Sequence, residues 1–181
     1  MVRRDFNLAR YNILLGLGQF ESGLNLTDTL LTLFGEKSVP YMMGLFQALK
    51  TIFAGWFFYK FTRERGFDYR ACVLTGLGYA FSGAMLTRLA FFSYSNEYLF
   101  VALALYALEL LYRRGNVWLF PLASALLVQS FDAVRAIFYF LFFAVYTVFR
   151  CYADGEPIKF GAVVRRTLSV MGLQLLGYAF V

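Results

Sequence analysis

Residues 71–89 read ACVLTGLGYAFSGAMLTRL, and Arg88 is the first charge in that run. A hydrocarbon core about 30 Å thick takes about 20 helical residues to cross, so this stretch predicts a membrane helix. Similar apolar runs flank it at residues 41–61, 97–112, 117–131, 136–149 and from Thr167 to Val181. The first is interrupted by Lys50. Residues 117–131 and 136–149 are short, and Asp132 and Arg135 between them favour a hairpin over one long bent helix. The expected fold is therefore an all-α membrane protein, a polytopic transmembrane helix bundle of about six spans. Alternation with a period of two, the signature of a membrane barrel, is absent.

Composition excludes the other classes. Of the 181 residues 60% are hydrophobic, 20% aromatic and 15% charged, where a soluble domain carries about 25% charge. The net charge of +6 does not point to nucleic acid, because the basic residues sit in short tracts between apolar runs instead of on one polar face. With no histidine and two distant cysteines, Cys72 and Cys151, His-based acid–base chemistry and the usual zinc spacings are excluded. No cleavable signal peptide is visible, because the chain opens on the polar stretch Met-Val-Arg-Arg-Asp.

The basic tracts give an orientation. Lys60, Arg63, Arg65 and Arg70 follow the first run, Arg113 and Arg114 the third, and Arg150, Lys159, Arg165 and Arg166 the fifth; the alternate turns hold Arg88 and Arg135. By the positive-inside rule, loops 62–70, 113–116 and 150–166 face the cytoplasm. Residues 1–40 then form an extracytoplasmic loop with a short interfacial helix, and residues 41–181 the bundle. An external segment bearing Arg3, Arg4, Arg10 and Lys37 suggests a preceding span, and the apolar stop at Val181 suggests a truncated bundle.

Charges within or beside spans are costly, about 2.5–3.5 kcal/mol each at mid-helix on insertion scales, so they mark candidate sites. Lys50 is read as a cation facing a cavity for an anionic substrate, or as a snorkelling or paired lysine. Arg88, Glu97, Asp132 and Arg135 all map to the outer side. Asp132 and Arg135 are spaced to pair with each other, and outward arginines suit phosphate. Asp5, Glu21, Asp28 and Glu36 are the carboxylates of the outer loop. Two of them near arginines could serve a glycosyl or phosphoryl donor, one as base and one on a divalent cation. Thr27-Asp28 also suits a helix N-terminus.

The order of features resembles the YfhO family of large bacterial membrane proteins, which have a GT-C-type glycosyltransferase architecture. The stretches that carry it are residues 11–18 (YNILLGLG), Ala48-Leu49-Lys50 leading to Ala54-Gly55 and Phe58-Tyr59, residues 78–83 (GYAFSG), Arg88 with Phe91-Phe92, and Tyr146 to Arg150. The likeness spans nearly the whole chain, as an internal segment of a far larger protein. It implies an enzyme of the bacterial cell membrane that uses a polyprenyl-phosphate-linked sugar to modify cell-envelope polymers on the outer face. Asp28 would be the catalytic residue, and Lys50, Arg88 and Arg135 would bind the donor. The family's proline after that Asp is Thr29 here, and Leu89 replaces a usual His. The acidic motif that follows the family's first span would lie upstream of Met1. The alternative is a non-catalytic membrane carrier or scaffold for lipid-linked sugars.

Overall fold

The computed structural model describes Leu30 and residues 39–89, 94–130, 133–153 and 160–179. Asp28 and most of the expected outer loop lie outside these residues, as does Asp132. The described chain is all-helical, with no strand among the described residues. In order it forms α1 (Val39–Glu64), α2 (Tyr69–Ala80), α3 (Gly83–Leu89), α4 (Tyr94–Arg114), α5 (Leu119–Val128), α6 (Ala133–Ala153) and α7 (Phe160–Ala179).

Local chemistry sets the helix ends. α1 closes in a Schellman arrangement, in which Gly66 N donates to Arg63 O (3.0 Å) and Phe67 N to Thr62 O (3.3 Å). Gly66 takes φ +88°, a value that costs glycine little and other residues more. Asp68 then caps α2 by accepting from Arg70 N at 3.3 Å. Gly115 ends α4 in the same left-handed region, at φ +67°, with its N donating to Leu111 O at 3.1 Å.

Two expected spans take other forms. The run 71–89 is broken: α2 ends at Ala80, and Ser82 Oγ accepts from Met85 N at 3.2 Å, which makes Ser82 the N-cap of a new helix. A serine with a glycine behind it offers the backbone this alternative to continuous helix. The run 117–131 contributes the ten residues of α5, about 15 Å of helix, half of a hydrocarbon core. The hairpin reading of the next connection holds. Phe120 of α5 and Phe143 of α6 meet edge to face with ring centroids 5.6 Å apart, whereas one straight helix would separate them by about 35 Å.

α1 and α4 run parallel in a nearly constant register. Ser95 Oγ donates to Gln47 Oε1 (2.6 Å), Phe57 stacks on Tyr106 with centroids 6.5 Å apart, and Glu64 pairs with Arg114. α2 returns against α1 at a close crossing, where a Cβ on Gly76 would meet Gly55 O at 3.0 Å. Small residues are what let two helix backbones approach this far. α7 returns against α5 and α6, with Gly177 set against the Pro121 carbonyl and Ser124.

The core gathers around α4. Leu99, Phe100, Ala104, Leu105, Ala107 and Leu108 are buried there, together with Ala54, Met85, Phe120, Phe143 and Val170 from its neighbours. α6 differs. Its residues Val134, Ile137, Phe138, Leu141, Val145 and Phe149 are all more than half exposed. Val134–Ala153 is the one helix among the described residues both long and apolar enough to cross a membrane on its own terms.

Candidate functional site

Polar chemistry inside the bundle is concentrated on two glutamates of α4, Glu97 and Glu109, and on one face of α6. In α6, Arg135 and Tyr139 are four residues apart, as are Tyr146 and Arg150. Residues four apart lie on one helix face, so each pair can grip a single group.

At one end, Glu97 Oε2 accepts from Arg135 Nη1 at 3.1 Å and Oε1 from Tyr139 Oη at 2.6 Å. At the other, Glu109 Oε1 accepts from Tyr146 Oη and from Arg150 Nε at 3.1 Å, and Oε2 accepts from the same Nε at 3.2 Å. Arg65 adds a second guanidinium, with Nη1 3.5 Å from Glu109 Oε1. The Arg150 guanidinium also lies over the Tyr112 ring, 5.9 Å from its centroid. The two clamps are twelve residues apart on α4, about 18 Å along its axis. Between them α4 and α6 make no extensive backbone contact. Long side chains bridge the gap, and Phe143, between the two clamps on α6, is buried.

These contacts gather the three basic tracts at one end of the bundle. Arg65, Arg114 and Arg150 belong one to each tract, and ion pairs to Glu64 and Glu109 join them. Arg165 and Arg166 reach the same end, where with Tyr112, Arg150 and Ser169 they line a cavity of about 860 Å³. The opposite end holds Gln47, whose Nε2 donates to Leu89 O (2.9 Å), together with Ser95, Glu97 and Arg135.

The residues singled out in the sequence are distributed as follows. Lys50 is 3% exposed, and the α1–α4 register sets it at the level of Tyr98, next to Glu97. Arg135 shares that end and is bound to Glu97; Asp132, the partner the sequence suggested, lies outside the described residues. The side chain of Arg88, in α3, falls outside the described residues, as does Asp28. Lys50 and Arg135 are thus brought to one end of the bundle. Cys72 and Cys151 are buried thiols.

Glu109 was not among the sequence candidates, although it is fully buried and anchors the larger clamp. The signal that could have found it is the Tyr146–Arg150 spacing, the mirror image of Arg135–Tyr139. Each of the four carboxylates in the described residues is engaged. Glu97 and Glu109 are clamped, Glu64 pairs with Arg114, and Asp68 caps α2. Each of the four therefore has a partner that holds it within the fold. Among the described residues no cluster of His, Cys, Asp and Glu is suited to a metal ion. No family model, curated protein or solved structure matches the chain.

Proposed function

We propose that this chain is a polytopic protein of the bacterial cell membrane that handles a polyprenyl-phosphate-linked sugar, with its basic end at the cytoplasmic face. The observation that carries the membrane reading is the contrast across α6. Arg135, Tyr139, Tyr146 and Arg150 turn inward onto buried glutamates, and Val134, Ile137, Phe138, Leu141, Val145 and Phe149 are exposed. Monomeric soluble proteins rarely expose an apolar surface this continuous. Inside a bilayer, charges face the bundle interior and pair with one another. α1, α4, α6 and α7 have 26, 21, 21 and 20 residues, each about 30 Å or longer. α2 with α3, and the short α5, would enter the membrane as broken or partial spans. Backbone breaks at membrane depth are tolerated where protein surrounds them.

Handling of a lipid-linked sugar rests on the likeness to the YfhO family and on the residues that carry it. In this reading the bundle is the frame, Lys50, Arg88 and Arg135 receive the anionic donor at the outer end, and transfer depends on Asp28 as base. The carrier or scaffold alternative is favoured by one observation, that every carboxylate in the described bundle already has a structural partner. A single experiment separates the two. The chain, extracted from membranes that resist carbonate washing, is given a polyprenyl-phosphate sugar and cell-envelope acceptor. Transfer that is lost in Asp28→Asn, by about 10²–10⁴-fold for a missing base, supports the enzyme. Donor binding without transfer supports the carrier. Release of the chain by carbonate would overturn the membrane reading itself.

A further inference from the structure

The basic-end cavity has no part in the reading above, which puts the sugar donor at the other end of the bundle. It lies between α4, α6 and α7, and its lining changes character with depth. Arg165 and Arg166, from the second turn of α7, are exposed at its mouth, and Arg150 lies behind them. Further along α7 the wall becomes Val170, Gly172, Leu173 and Leu176. Leu176 is ten residues beyond Arg166, about 15 Å deeper along the axis.

Among the described residues the mouth is rich in arginine. Arg65 and Arg150 share one carboxylate, Glu109, while neither Arg165 nor Arg166 makes an ion pair with any described residue. Among the described residues three arginines, Arg150, Arg165 and Arg166, line the cavity and no acidic side chain does. Arginine forks are shaped for phosphate oxygens. Two exposed forks side by side above an apolar trough match an anion that carries a hydrocarbon tail. Its volume of about 860 Å³ falls within the range of about 300–1,000 Å³ usual for small-molecule sites.

We propose that this cavity binds a phosphate group carried on a hydrocarbon chain, the chemistry of an anionic phospholipid of the cytoplasmic leaflet, with Arg165 and Arg166 on the phosphate and Leu173 and Leu176 against the chain. Basic pockets between membrane helices on the cytoplasmic side commonly take such headgroups. The proposal rests on the membrane placement and is independent of glycosyl transfer. The full chain in a neutral detergent is titrated with phosphatidylglycerol, with phosphatidylcholine and with inorganic phosphate, and bound lipid is counted by native mass spectrometry. Phosphatidylglycerol is expected to be retained at least about tenfold more tightly than phosphatidylcholine, and the double variant R165Q/R166Q to lose about tenfold or more, the scale of a charge-assisted hydrogen bond.

Two further variants keep the test sharp. Gly172 lines the cavity, and a Cβ there meets nothing within 4 Å, so a side chain can start into the trough from this position and Gly172→Phe should expel the lipid. Arg70→Gln, an exposed basic residue of α2 outside the cavity, should leave binding unchanged. Equal retention of the two lipids would overturn the site. So would phosphatidylglycerol binding that survives R165Q/R166Q, or inorganic phosphate binding as tightly as the lipid. Carbonate release of a chain that still binds phosphatidylglycerol through these arginines would overturn the membrane placement and leave the site standing.

Discussion

The two glutamate clamps are built from the same parts and balanced differently. Each takes a glutamate from α4 and an Arg and a Tyr four residues apart on α6. Glu97 meets one arginine, Arg135, whose side chain is 29% exposed; Glu109 meets Arg150, 8% exposed, and Arg65 as well. The first lies toward the rim, where Arg135 keeps partial access to solvent. The second is a fully buried anion holding two cations, with two more arginines close by across the cavity. Burial determines what each is worth. Removing one member of a buried pair strands the other in a medium that solvates it poorly, whereas a cation at the rim can turn to water.

Neutralising Glu109 should therefore be the most damaging single change. Glu109→Gln keeps the size and one acceptor but leaves Arg150 and Arg65 without their anion, and is expected to cost about 3–5 kcal/mol. Glu97→Gln should cost about 1–3 kcal/mol, because Arg135 keeps access to solvent. Thermal unfolding of the detergent-solubilised variants, followed by circular dichroism, ranks the two. An equal loss would mean that the extra arginine and the deeper burial count for nothing, and would break the comparison.

How much of this was legible in the sequence follows from the range of each interaction. The all-helical class and the common end of the three basic tracts were legible, because apolar runs and charged turns act locally. Glu109 was hidden because its partners Tyr146 and Arg150 are 37 and 41 residues away. Glu97 as a partner of Arg135 was hidden in the same way, being 38 residues away. The break at Ser82 was hidden for another reason. Ser82 lies inside an apolar run that reads as one continuous span, and its hydroxyl caps a new helix. The close approach in that region belongs to Gly76 and Gly55, one turn and more upstream.

That crossing gives a third test, at a site with no charge. Gly76→Val would set side-chain carbon against Gly55 O and Tyr59, both already 3.0 Å from the ideal Cβ position. Overpacking of this kind costs about 1–3 kcal/mol. Gly78 lies on the same helix with nothing within 4 Å of its Cβ position, so Gly78→Val should be tolerated. If both are equally harmful, helix propensity and not the α1–α2 approach sets the need for glycine.

The smallest effect belongs to the pair that most resembles Glu109 with Arg65. Glu64 and Arg114 join the same two helices at the same end, with the donor and acceptor helices exchanged. Their side chains are 16% and 65% exposed, so water and counterions reach the arginine throughout. Exposed pairs of this kind contribute about 0.2–1 kcal/mol, and salt screens them. Arg114→Gln should therefore lower stability by no more than that. Its loss should shrink further in high salt, whereas the penalty of Glu109→Gln should hardly respond, since ions do not enter the bundle. The measurement is one pair of unfolding curves at low and at high ionic strength. A salt-sensitive Glu109→Gln would mean that the basic end is open to solvent as far as α4, and that burial does not distinguish the two pairs.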